Sequence, residues 1–174
     1  MRIFAMAALA AFLPGLAAAQ SFSGPSVGAQ VSFGDVETEN PALEGDDLLF
    51  GVRAYFDADL GGFLLGGGLQ YDTAEIELGD GVVDVEAVFR LGARGGIQSG
   101  KNYFYGTGGF AQAYLSEDSI GDSGGYFIGV GYEGFVTDNI TAGAEVLFHR
   151  FEDFDLEGLE ADVVTVGATV NYRF

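Results

Sequence analysis

Residues 82–94 read Val-Val-Asp-Val-Glu-Ala-Val-Phe-Arg-Leu-Gly-Ala-Arg. From Val83 on, one parity carries Val83, Val85, Ala87, Phe89, Leu91 and Ala93; the other carries Asp84, Glu86, Arg90, Gly92 and Arg94. A period of two puts alternate side chains on opposite faces of a pleated chain, so this stretch is a strand with one apolar wall. The same beat recurs at 26–34, 48–57, 63–74, 102–115, 125–136, 140–151 and 162–174. No window after Gln20 shows a helical period. The chain therefore reads as all-β with eight strands.

The connections alternate in character. Those at 57–62, 98–102 and 137–139 are short and built from turn residues. Those near 35–47, 74–82, 116–124 and 151–161 are longer and acidic. Short turns at one end and longer loops at the other describe an antiparallel up-and-down meander. With 174 residues and 18.2 kDa there is room for one such domain. Met1-Arg2, an apolar run from Ile3 to Leu13, the Pro14-Gly15 break and Ala17-Ala18-Ala19 predict a signal peptide over 1–19, leaving 20–174 as the barrel domain.

Composition narrows the function. Seven Lys and Arg against 26 Asp and Glu give a formal charge of -19, so the basic footprint of a nucleic-acid binder is missing. There is no Cys, which excludes disulfide scaffolds and thiolate chemistry. Yet 48% of residues are hydrophobic and 29 are Gly, so this is not an acidic disordered tail.

Glycine indicates which wall is inside. The polar parity carries Gly28, Gly51, Gly66, Gly68, Gly92, Gly106, Gly108, Gly129, Gly131, Gly143 and Gly167. Glycine weakens a strand and packs nothing, so a row of it needs a reason. A narrow barrel supplies one, because rows of large side chains from every strand do not fit within it. The apolar wall then faces outward, where lipid tolerates a continuous apolar belt. Phe56, Phe63, Tyr103, Tyr132, Tyr172 and Phe174 fall toward the short turns, and Phe33, Phe50, Tyr71, Tyr126 and Phe148 toward the long loops. These are expected to form two interfacial girdles. The fold expected is an eight-stranded transmembrane β-barrel. A soluble periplasmic lipocalin-like carrier requires the opposite assignment of faces.

In these features the chain resembles the small eight-stranded outer-membrane barrels of the OmpA membrane-domain and OmpX kind, within the wider porin-like group. Its C-terminal strand, with Val164, Val166, Ala168, Val170, Tyr172 and Phe174 outward, resembles the signal that this class presents to the barrel-assembly machinery. The resemblance assigns that role to Tyr172 and Phe174. It implies a Gram-negative outer membrane, periplasmic termini, extracellular acidic loops, and contact with outer-membrane lipid and lipopolysaccharide. It also implies a monomer with a structural or surface-interaction role. The alternative is a narrow passive channel.

The inward charges expected to form an ion-pair network in the lumen are Arg53, Asp84, Glu86, Arg90, Arg94, Glu133 and Glu145, with Asp72, Gln30, Gln70 and Gln112 nearby. Buried charges have to be paired, and eight strands leave an interior that side chains fill. No catalytic residue is expected. His149 is the only histidine, is followed by Arg150 and Phe151, and has inward parity. Arg150 has outward parity, where it could meet lipopolysaccharide phosphate. The acidic loops lack the ligand spacing of a calcium loop, so no metal or cofactor is expected.

Overall fold

The computed structural model describes the backbone of residues 21–39, 44–78, 83–115, 123–151 and 160–174, and the side chains of 21–35, 48–73, 87–114, 124–151 and 162–174. The strands are β1 (Gly24–Glu39), β2 (Glu44–Asp59), β3 (Phe63–Leu78), β4 (Val83–Ser99), β5 (Asn102–Leu115), β6 (Ser123–Phe135), β7 (Ile140–Phe151) and β8 (Glu160–Arg173). Each pairs antiparallel with its sequence neighbour, and β1 pairs with β8, so the sheet closes as an up-and-down barrel. Closure leaves no sheet edge unpaired, which a lipid environment demands of any spanning structure. The expected signal peptide at 1–19 lies outside the described residues.

The short turns follow from their residues. Between β2 and β3, Asp59 Oδ1 accepts from the backbone N–H groups of Gly61 and Gly62, each at 2.8 Å. Both glycines have positive φ, 92° and 93°, a region that costs glycine little. Between β6 and β7, Thr137 Oγ1 accepts from Ile140 N–H at 3.1 Å.

Two of the connections expected to be long are mostly strand. β1 and β2 stay paired up to Glu37↔Glu44, and β3 and β4 up to Leu78↔Val83. The apolar beat fades there because the strands have left the apolar belt, while the backbone ladder continues. At 16 residues each, β1 to β3 exceed the ~9–11 residues that a tilted span needs.

Outward residues include Val31, Phe50, Val52, Leu69, Leu91, Val130, Val166 and Val170, all exposed. Their neighbours Gln30, Arg53, Gln70, Arg90, Thr165 and Asn171 are buried. The polar wall is therefore the inner one. β5 departs from the expected assignment. Tyr103, Tyr105, Thr107, Ala111 and Ala113 are buried, while Phe104, Gly106 and Phe110 are exposed. Tyr103 thus leaves the expected girdle, and Gln112 shares the outward parity of Phe110. The reason is chemical: both inward tyrosines offer rings to Arg94, and Tyr105 also gives its hydroxyl to Glu145, which matters more than their apolar area. Ala87 is also buried, at 4% exposure. It sits beside register shifts at Val85/Ala87 and Thr73/Ile76, where the alternation is interrupted.

Candidate functional site

The lumen is layered from the short-turn end upward. Phe22, just before β1, is fully buried there, with ring centroids 5.3 Å from Tyr103 and 4.6 Å from Phe135. Leu64 completes this apolar floor. The Arg173 guanidinium lies 4.8 Å from the Phe22 ring and donates to the Phe22 carbonyl. The N-terminal segment is thereby held by the last strand.

Above the floor lies the first charge cluster. Arg94 donates from Nε and Nη2 to Asp57 at 2.9 and 2.6 Å, and from Nη1 to Glu133 at 2.8 Å. Arg173 Nη2 donates to Glu133 at 3.0 Å, and its Nη1 is 3.3 Å from Asp57. Thr141 Oγ1 adds a donor to Glu133 at 3.2 Å. Two guanidiniums thus meet two carboxylates, and the local charge sums to zero.

Tyr55 links this cluster to the next. Arg94 lies 4.0 Å from its ring centroid and Arg53 lies 5.0 Å away, a cation–π arrangement favoured where water is excluded. In the second cluster Arg53 pairs with Glu145 at 3.2 Å. Glu145 also accepts from Tyr105 at 2.8 Å and Gln70 at 3.2 Å. Arg90 pairs with Asp72, which accepts from Gln30 at 2.7 Å. Again two guanidiniums face two carboxylates.

His149 joins this cluster as an acceptor. Arg90 Nε donates to His149 Nε2 at 2.7 Å, which places the ring proton on Nδ1, 3.4 Å from the Val163 carbonyl. The ring stacks on Phe151 at 6.1 Å and 2°. Around it, Val88, Ala111, Ala113, Phe127, Leu147 and Phe151 form an apolar roof cluster, with Phe127 opposite His149 in register and Leu147 and Phe151 flanking it along β7.

The inner glycines make room for these groups. A Cβ on Gly51 would strike the Asp72 carboxylate, and one on Gly131 would strike the Tyr105 ring. The small residue on one strand is therefore the space for a large polar one on the next.

Of the expected network residues, Arg53, Arg90, Arg94, Glu133 and Glu145 come together as described. The side chains of Asp84 and Glu86 lie outside the described residues. The alternation puts Asp57 and Arg173 on the inner face, but Asp57 reads as a turn residue and Arg173 lies inside the terminal aromatic pattern. Phe22 lies outside any alternating segment. Tyr172 and Phe174 face outward, with rings 5.1 Å apart in a T-shaped contact. Arg150 is engaged by its own chain, donating to Asp162 at 2.8 and 2.7 Å on the rim.

Among the described residues no group of three His, Asp or Glu side chains is placed to hold a metal ion. His149 has Arg90, not a carboxylate, on Nε2, and no nucleophile meets it there. The arrangement binds its own charges to one another.

The family model described as an outer membrane protein beta-barrel domain matches residues 4–174. No curated protein sequence matches. Among solved structures, the Neisserial surface protein A is similar with a TM-score of 0.58 at 13% identity, covering 87% of this chain and 98% of that one. The attachment invasion locus protein Ail of Yersinia pestis, in complex with the heparin analogue sucrose octasulfate, gives a TM-score of 0.51 at 11% identity. That match covers 86% of this chain and 99% of that one. At these identities the likeness is one of fold.

Proposed function

Because the chain belongs to the outer membrane protein β-barrel domain family, we propose that it is a non-enzymatic integral barrel of the Gram-negative outer membrane. Its role is to support envelope structure or to present a surface for interaction, and its lumen is a plug rather than a path. The observation that carries this reading is a charge-balanced network packed together with two apolar clusters, so that paired charges and buried apolar side chains fill the lumen. Phe22, Leu64 and Tyr103 lie at its short-turn end, and Phe127, Leu147 and Phe151 pack around His149 at its other end. An ion crossing the lumen would have to pass these apolar groups and displace a paired guanidinium.

In this reading the acidic connections are extracellular and the short turns and both termini periplasmic. The signal peptide delivers the chain to the periplasm, and Tyr172 and Phe174 engage the assembly machinery. Lipopolysaccharide and phospholipid surround a monomer.

A deletion strain tests the function. Loss of the gene should raise detergent sensitivity or reduce surface adhesion while leaving uptake of small hydrophilic solutes unchanged. Reduced solute uptake without an envelope or adhesion defect would argue for the channel instead.

A further inference from the structure

Gly95 on β4 lies opposite Gly106 on β5. Gly106 is exposed, and a Cβ on Gly95 would meet Phe63 and Leu65, both residues of the outer belt. This pair therefore faces the membrane, where crowding of the lumen gives no reason for glycine. It floors a groove of about 540 Å³ lined also by Ile97, Phe104, Val130 and Tyr132. The Phe104 and Tyr132 rings stand 5.1 Å apart along its side. Tyr132 OH donates to Asn102 Oδ1 at 2.8 Å, which fixes that ring.

Ile97 and Val130 are more than half exposed, so the groove opens within the apolar belt and its occupant there is hydrocarbon. What lies at its foot narrows the choice. From the pair Ile97↔Phe104 the ladder runs through Gln98↔Tyr103 to Ser99↔Asn102 and into the turn bearing Lys101, roughly 7 Å further at the usual strand rise. Lys101 is exposed, is the only lysine in a chain of charge -19, and makes no ion pair among the described residues. Arg53, Arg90, Arg94 and Arg173 are consumed in the lumen, and Arg150 lies at the opposite rim. A cation at the end of an apolar groove, on an otherwise acidic protein, complements one ligand chemistry: a long acyl chain joined to a phosphate-bearing headgroup.

We propose that the Gly95–Gly106 groove seats an acyl chain of a glycerophospholipid, with its phosphate at Lys101. The choice of phospholipid over lipopolysaccharide rests on the reading that the short turns face the periplasm; lipopolysaccharide shares the acyl-phosphate chemistry but would meet the other end.

The full chain refolded in detergent micelles, with phosphatidylglycerol added, tests this by native mass spectrometry. Gly106→Ile fills the groove from a position where a Cβ meets no atom closer than 3.9 Å, and Ile suits a strand. Heat-modifiable migration checks that the variant is folded. The parent should retain one phosphatidylglycerol. Gly106→Ile should lower retention about tenfold through lost hydrocarbon contact, and Lys101→Gln by a smaller factor. Equal retention by parent and folded Gly106→Ile would overturn the proposal. So would preferential retention of lipid A, or a parent dimer that Gly106→Ile dissolves. Trypsin cleavage at Lys101 on intact cells would contradict the proposed orientation, a failure separate from loss of the Gly106 dependence.

Discussion

Glu145, Val146 and Leu147 follow one another on β7, yet they meet different solvents. Glu145 and Leu147 are buried at 5% and 4% exposure, while Val146 is 44% exposed on the outer wall. Inside, every large side chain has a specific neighbour: Arg53 and Tyr105 for Glu145, and Phe127 and Phe151 within the roof for Leu147. Outside, the neighbour is interchangeable hydrocarbon. The inner wall is thus sensitive to identity and the outer wall mainly to polarity.

The largest break in this contrast should come from Arg94→Ala. It removes two hydrogen bonds from Asp57 and one from Glu133, leaving Arg173 as the one cation for both carboxylates. Removing one member of a buried pair costs ~3–5 kcal/mol, and two carboxylates place this variant at the upper end. Urea titration of the protein refolded into vesicles should show a clear fall in the midpoint. Arg90→Ala should do the same to a lesser degree, because Asp72 keeps its bond from Gln30.

A smaller effect sharpens the comparison between walls. Leu147→Ala should cost ~2–5 kcal/mol by opening a space in the roof. Val146→Ala, one residue away, should cost less than ~1 kcal/mol, since lipid fills what the side chain leaves. Equal costs for the two would contradict the assignment of faces on β7.

The smallest expected change is the most informative about charge. Arg53→Met together with Glu145→Leu removes both members of one pair, and replacing a buried pair by apolar groups is often near neutral. Each single substitution should destabilise clearly, so the double-mutant cycle should give a coupling of ~1–3 kcal/mol. Additive effects would show that the pair is not isolated from water.

The alternation made most of this architecture legible, because a two-residue period survives wherever one wall meets lipid and the other does not. On β8, Val164 to Phe174 could be assigned residue by residue. On β5 the same logic failed: both parities carry aromatics, and glycine stands on both walls. Gly106 marks the outer groove, while Tyr103 and Tyr105 face inward beside Arg94, at 5.6 and 5.1 Å. The charged residues of the lumen could be named, but not their partners. Which carboxylate meets Arg94 depends on inter-strand register, and register is a property of the closed sheet. Asp57 and Glu133 come from β2 and β6, which are not adjacent. Phe22 gave no periodic signal, since it is placed by Arg173 and Tyr103 rather than by a ladder.

The central claim is that the lumen is a plug, and single-channel recording of the parent protein in a planar bilayer tests it most directly. With a balanced network and buried apolar side chains filling the lumen, the expected trace has no steady current at moderate voltage in neutral salt. A stable open level in the parent protein, persisting across independent insertions, would contradict the account and make the arginines the lining of a pore.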